Sequence, residues 1–305
     1  MKGFLTRTVT ALILIGIVVF FIWLSVAYNP IAIDSLMLLF AIMAACEMLS
    51  AFKKSGHYPF RLPVILFGLA AYPLYYFFDV RGLILAFMAA VIMTLVMFTF
   101  SETAAPKNGA EYNPFDTDAR NPKVKTVGDL GITVFTMVYP LLFVISAAML
   151  TKHYNPAVML IMAVSFPIAA DTLAYYVGSL LKGPKLCPKV SPKKTISGAI
   201  GSLFGGILAA MVVFLVFDRF NLLNVGWVPF TESHVLNGII FGVLGALSAV
   251  VGLLGDLAGS KLKRALGIKD FGTIFPGHGG IIDRIDSIMF TIVFLNIAIP
   301  IAYLL

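Results

Sequence analysis

Four aspartates occupy places where a strongly apolar chain rarely carries charge. Asp171 and Asp256 fall inside long apolar runs, and Asp283 and Asp286 precede another. An ionised carboxylate at membrane depth is expensive unless it is paired, hydrated or bound to a cation. Asp283 and Asp286 are three residues apart, so on a helix both carboxylates point roughly the same way, with Arg284 between them in sequence. Two carboxylates on one turn repel each other unless a cation compensates them, and Mg²⁺ favours such oxygen ligands together with substrate phosphate. A divalent metal site is therefore the working expectation. A solvated helix start would account for Asp283 and Asp286 taken alone, and a hydrated helix end for Asp256.

The neighbouring residues are cationic or conformationally permissive. Ser260, Lys263 and Arg264 follow Asp256 at helical spacings that share a broad face. In Pro276-Gly277-His278-Gly279-Gly280, glycine at three of five positions lets the backbone turn sharply and expose amide donors to an anion. His278 can donate to a phosphate or orient a carboxylate. The glycine order is neither that of a P-loop nor that of a dinucleotide fingerprint. Asp171, Tyr175 and Gly178 recur at i, i+4 and i+7 and share a stripe that can line a polar cavity, although plain burial accounts equally for Tyr175. Ser191-Pro192-Lys193-Lys194-Thr195 puts a turn, two cations and a hydroxyl before a helix, a combination that can hold polyphosphate. A merely positive cytoplasmic loop is the alternative.

Carboxylates flanked by basic and glycine-rich loops suit phosphoryl or nucleotidyl transfer, because metals bridge phosphate oxygens and cations stabilise the transferring and leaving groups. An enzyme acting on a phosphorylated lipid is the reading from the residues alone. A transporter for an anionic substrate is the main rival, but it should carry related repeats in its two halves. No convincing repeat is evident, and the chemical motifs lie almost entirely in the second half.

The elements that must position these groups follow from composition. The chain has 305 residues, of which 60% are hydrophobic and 12% charged, whereas a soluble domain carries about 25% charged residues. Cytosolic and secreted classes are disfavoured. Hydrocarbon leaves backbone groups no partner but each other, so each apolar block is expected to be a helix. The fold class is all-α, a polytopic integral membrane protein with about nine transmembrane helices, at 9–28, 31–51, 62–78, 82–100, 128–150, 156–181, 196–218, 235–257 and 287–304. The first block follows Lys2 and Arg7 like a signal peptide, but it is long, lacks a small-x-small cleavage site and is followed by more spans, so it reads as a transmembrane helix. Two regions are expected: 1–126 with N-terminal helices and a cytoplasmic connector, and 127–305 with the catalytic helices.

With nine spans and a cytoplasmic N-terminus, all but Arg81, Lys152 and Arg219 of the 22 basic residues face the cytoplasm. The protein is thus placed in the cell inner membrane or plasma membrane with its site on the cytoplasmic side. The net charge of +7 reflects that bias and contact with anionic lipid head groups. No nucleic-acid-binding spacing accompanies it, so nucleic acid is not an expected partner. Cys46 and Cys187 predict neither a disulfide framework nor a zinc site. Small-residue stretches at Gly201–Ala210 and Gly242–Ala249 permit close helix contact, within one chain or between two.

The C-terminal pattern resembles the signature of the phosphatidate cytidylyltransferase, or CDP-diacylglycerol synthase, family. The matching residues are Ser260, Lys263-Arg264, Lys269-Asp270, Gly272, Pro276, His278-Gly279-Gly280, Asp283-Arg284 and Asp286. Asp171, Ala174 and Tyr175 match its D-x-x-A-Y element, and Ser191 to Thr195 its S-P-K-K-T. After that motif the family commonly has an aromatic residue, glutamate and glycine, whereas this chain has Ile196, Ser197 and Gly198.

The resemblance implies conversion of CTP and phosphatidate to CDP-diacylglycerol and pyrophosphate in phospholipid biosynthesis. Asp256 and Asp283 are expected to bind the principal Mg²⁺, with Asp171 and Asp286 completing or orienting the site and a second cation of unspecified identity beside it. Lys193, Lys194, Lys263, Lys269 and Arg284 are candidate phosphate contacts, which Ser260 and His278 orient. Arg264 joins the catalytic set, and Tyr175, Ser191, Thr195, Gly279 and Gly280 the substrate-binding set. A homodimer is a family-level expectation. A different nucleotide or a polyprenyl phosphate acceptor remains the enzymatic alternative.

Overall fold

The computed structural model describes residues 13, 16–25, 27–29, 31–103, 124–275 and 279–305. Pro276, Gly277, His278 and most of the 101–127 connector lie outside them. The elements in chain order are α1 (Gly16–Ser25), α2 (Ile31–Lys54), α3 (Arg61–Thr99), β1 (Glu102–Thr103), β2 (Val124–Lys125), α4 (Val127–His153), α5 (Pro156–Leu181), β3 (Lys185–Cys187), β4 (Ser191–Thr195), α6 (Ile196–Arg219), α7 (His234–Ala265) and α8 (Ile282–Ala302). The short strands pair locally, β1 with β2 in parallel and β3 with β4 as an antiparallel hairpin.

Local sequence accounts for several helix starts. Thr126 and Asp129 form a reciprocal capping box at α4. Asn155 accepts from the Val158 amide at 3.1 Å, with Pro156 at the first position of α5, where its missing N–H costs nothing. Thr195 accepts from the Gly198 amide at 3.1 Å and caps α6.

Among the described residues, seven helices are long and apolar enough to cross a membrane. That count differs from the expected nine for two reasons. The first expected span is described only as the short α1, and the blocks at 62–78 and 82–100 form one element, α3. A straight helix of 39 residues would run about 58 Å, well beyond a hydrocarbon core of about 30 Å. Instead α3 turns at Asp79, where φ is 55° and ψ −147°, and the Phe67 and Phe87 rings meet with centroids 5.6 Å apart. The element is a hairpin of two arms.

Large apolar side chains cover the outside: Phe77 is 74% exposed, Leu180 78%, Phe204 64% and Ile297 62%. In water such a surface would drive association, and in a bilayer it is the lipid-facing side. The protein is a polytopic membrane protein.

The chain divides into two compact units. The first comprises Met1–Leu36, Ser146–Arg264 and Arg284–Leu305. Its interior holds Met159, Met162 and Phe166 of α5, Phe241 and Leu244 of α7, and a buried stripe of Met289, Ile292, Leu295 and Ile299 on α8. At Gly206 and Gly245 the backbones of α6 and α7 approach so closely that neither position has room for a β-carbon. The small-residue stretches therefore pack within one chain. Where α6 ends, buried Asp218 accepts from Trp227 Nε1 at 3.3 Å and Asn237 Nδ2 at 3.1 Å, fastening the connection to α7.

The second unit comprises Met37–Ile145 and Ala265–Asp283. Val64, Phe67, Ala71 and Tyr75 of α3 are buried with Met48 of α2 and Met137 and Leu141 of α4. The 55–60 connection is fixed by three polar contacts. Asp129 accepts from the Tyr58 amide at 2.7 Å, Thr133 from the Phe60 amide at 2.9 Å, and Lys125 donates to the Tyr58 carbonyl at 2.8 Å.

Candidate active site

The candidate residues form two carboxylate clusters, one in each unit. The first is built on α5, α7 and α8 with the strand preceding α6. Helix α7 continues to Ala265, so Asp256, Ser260, Lys263 and Arg264 share one helix as their spacing suggested. At Gly255 a β-carbon would stand 2.7 Å from the Asp286 carbonyl, so the glycine lets α8 lie against α7. That approach makes Asp256 and Asp286 electrostatic neighbours, and Asp256 acts on Asp171 of α5 as well.

Two ammonium groups answer those charges. Lys194 Nζ lies 2.5 Å from Asp256 Oδ2, and Lys263 acts on Asp286. Hydroxyls supply further donors: Ser260 Oγ donates to Asp256 Oδ1 and Ser287 Oγ to Asp171 Oδ2, each at 3.3 Å. Asp286 is buried and takes the Ser287 amide on Oδ1 at 2.8 Å. Among the described residues, the carboxyl groups of Asp171, Asp256 and Asp286 thus gather with the ammonium groups of Lys194 and Lys263.

The second cluster brings Asp283, Asp270 and Glu47 to one turn. Asp283, in the first turn of α8, accepts on Oδ2 from the Phe271 amide at 2.9 Å and the Gly280 amide at 3.0 Å. Gly279 takes φ of +83°, a conformation that suits glycine, and its carbonyl accepts from the Phe275 amide at 3.0 Å. Asp270 approaches the same turn, facing Gly279. Buried Glu47 of α2 completes the cluster by accepting from the Ile282 amide at 3.2 Å.

Other sequence candidates have different surroundings. Lys193, Arg264, Lys269 and Arg284 are exposed, and Ser191 is half-buried on β4. Tyr175 is 72% exposed, its ring against Tyr176, while Gly178 of the same stripe faces Thr195 and Gly198. The Thr195 hydroxyl is used as the α6 cap. Ser197, at the position of the family's usual glutamate, donates to the Lys182 carbonyl and contacts the Thr195 hydroxyl at 3.1 Å, so here that position ties the end of α5 to the start of α6. His278 falls outside the described residues.

Sequence comparison shows the family to which the chain belongs. The profile of the Cytidylyltransferase family matches residues 5–302. A phosphatidate cytidylyltransferase of Mycobacterium bovis is 28% identical over 286 residues, covering 93% of this chain and 85% of the relative. The Mycobacterium tuberculosis H37Rv protein of the same name is also 28% identical, covering 93% and 80%. One from Staphylococcus aureus strain COL is 46% identical over 127 residues, 42% of this chain and 43% of its own. The chain belongs to the phosphatidate cytidylyltransferase family. Membership makes it a membrane-embedded nucleotidyltransferase of lipid metabolism.

The clusters can be tested against the divalent cation that this family implies. Among the described residues, no three His, Cys, Asp or Glu side chains converge as a protein-only cage. Mg²⁺ does not need one, because it is usually held by one or two carboxylates with substrate phosphate and water. The oxygen-only donors of Asp171, Asp256 and Asp286 fit that mode. Two members of the clusters escaped the sequence reading. Ser287 carries no signal beyond its hydroxyl. Glu47 is one of two acids, with Asp34, in the apolar block 31–51, and the burial argument applied to Asp171 would have flagged it.

Proposed function

We propose that this family member is a phosphatidate cytidylyltransferase that joins CTP to phosphatidate and releases pyrophosphate. The observation that carries the reading is the grouping of Asp171, Asp256 and Asp286 with Lys194 and Lys263 at the ends of helices that are otherwise apolar. A lipid phosphate and a soluble triphosphate can meet at such a place, the acyl chains staying in the bilayer.

A phosphatidate oxygen attacks the α-phosphorus of CTP in line. The new P–O bond forms as the bond to the β-phosphate oxygen breaks, and pyrophosphate departs with that electron pair. Phosphatidate already carries an anionic oxygen, so no serine, cysteine or histidine nucleophile is required. Asp256 and Asp283 are the proposed ligands of Mg²⁺, with Asp171 and Asp286 completing or orienting its surroundings. When bound, the ion neutralises charge on the phosphate oxygens and the leaving group. A second cation is part of the same reading.

Lys194 and Lys263 offer ammonium groups to the triphosphate. Lys193, Lys269, Arg264 and Arg284 add positive potential that attracts both anionic substrates. Ser260 orients Asp256, and His278, Gly279 and Gly280 are the proposed phosphate-side residues of the turn that carries Asp283. Tyr175, Ser191 and Thr195 remain proposed substrate-side residues, Thr195 acting through its cap. The excess of basic residues in the loops expected inside supports a site on the cytoplasmic face of a cell inner or plasma membrane.

The test is pyrophosphate release by purified protein in detergent with CTP and phosphatidate. Turnover should vanish with EDTA and return with Mg²⁺. Parallel assays with ATP, GTP and UTP, then with a polyprenyl phosphate acceptor, separate the alternatives. A folded protein that gives no metal-dependent turnover with CTP and phosphatidate would refute the assignment.

A further inference from the structure

We infer that Glu47, in the half of the chain without signature motifs, is a positioning residue that shapes the glycine-rich turn carrying Asp283; this rests on the reaction proposed above. Glu47 lies in α2 and is only 5% exposed. A buried carboxylate at membrane depth needs donors, and the backbone of the 271–283 segment supplies them. Oε2 accepts from the Ile282 amide at 3.2 Å, and the Ile281 amide acts on the same group.

The fit extends beyond that bond. A β-carbon on Gly272 would collide with Glu47 Oε1, and one on Gly280 with Oε2. The two glycines are therefore small because the Glu47 carboxylate fills the space that a side chain would take. The chain enters and leaves the turn through Phe271, Ile281 and Ile282, each no more than 1% exposed. Asp283 then draws the Phe271 and Gly280 amides onto one oxygen. Glu47 and Asp283 thus grip the same short segment, and the Gly280 amide held by Asp283 belongs to a residue packed on Glu47.

Among the described residues, the hydrogen-bond donors to Glu47 are backbone amides, not groups that could pass it a proton. Its effect is on where the Gly279-Gly280 backbone and the Asp283 carboxylate stand. Catalytic groups need placement to a fraction of an ångström, and a shift of about 1 Å can cost about a hundredfold in rate. The conservative replacement Glu47→Gln keeps an oxygen able to accept from Ile282, whereas Glu47→Ala removes the acceptor and leaves a void.

The experiment combines hydrogen–deuterium exchange of peptides covering 271–283, measured without metal or nucleotide, with steady-state kinetics. In Glu47→Ala these amides should exchange about tenfold faster or more, and kcat should fall about tenfold to a hundredfold with a smaller change in the KM for CTP. Glu47→Gln should recover most of both. Gly272→Ala, which presses a methyl group onto Glu47, should reproduce the defect and serves if Glu47→Ala does not fold. Parent-like exchange in folded Glu47→Ala overturns the inference, as does faster exchange with unchanged kcat. Glu47→Gln with parent-like exchange but the low kcat of Glu47→Ala overturns it too, because the charge itself would then act. A parent protein inactive on CTP and phosphatidate refutes the assigned reaction, while the exchange data still decide whether Glu47 holds the turn.

Discussion

The two clusters hold their carboxylates by different means. In the first unit, Asp256 faces the Lys194 ammonium and the Ser260 hydroxyl, and Asp171 faces Ser287, so side chains answer these two side chains, while Asp286 takes the Ser287 amide. In the second unit, Asp283 and Glu47 are answered by backbone amides of Phe271, Gly280 and Ile282. A side-chain partner can swing away when a better counter-ion arrives. An amide in a tight turn cannot move without moving the chain. The first arrangement is thus suited to exchanging partners during a reaction cycle, and the second to keeping a shape.

Substitutions can break or sharpen that contrast. Asp256→Ala should lower pyrophosphate release by about three orders of magnitude, since it removes a proposed metal ligand and strands Lys194. Its elution in size-exclusion chromatography should match the parent. Asp283→Ala should also abolish turnover, but through a second route: two amides lose their acceptor, at about 1–3 kcal/mol each. Faster exchange across 271–283 should accompany the loss, and near-normal turnover would exclude the proposed role.

Lys194→Ala tests the exchangeable side. It should cut kcat/KM for CTP about tenfold to a hundredfold while leaving exchange in 271–283 at the parent rate. A change in that segment would contradict the division of labour. Gly206→Val disturbs neither carboxylate cluster directly, but it forces apart two backbones and should lower the melting temperature through about 1–3 kcal/mol of overpacking. The smallest effect is expected from Tyr175→Phe, because the ring is largely exposed; turnover should change by less than about twofold. A large loss would give the phenol a direct part in substrate binding.

Much of this could be read from the residues. Apolar runs located the helices, because hydrocarbon allows a single chain few other ways to satisfy its backbone. The break at Asp79 followed from the charged Asp79-Val80-Arg81 interruption, although the chain folds there as a hairpin within one continuous element. The family motifs marked Asp171, Asp283 and Asp286 because they lie within patterned, local stretches, and the cost of a charge in an apolar run marked Asp256.

What sequence could not supply was partnership over distance. Glu47 and Ile282 are 235 positions apart, and no local pattern encodes their hydrogen bond. Lys194 could be named as a cation, but its pairing with Asp256 depends on how α6 and α7 pack. Thr195 reads as part of a phosphate-holding turn, whereas the cap that its hydroxyl makes on the first turn of α6 went unread. Ser197 was visible as a departure, while its bond to the Lys182 carbonyl depends on the hairpin between α5 and α6.

The meeting of Gly206 and Gly245 bears on how a lipid enters. Two helices joined backbone to backbone have no side-chain cushion to compress, so that seam cannot part slightly and reseal with a different fit. The seam between α6 and α7 therefore offers no path to the acyl chain of the proposed lipid substrate.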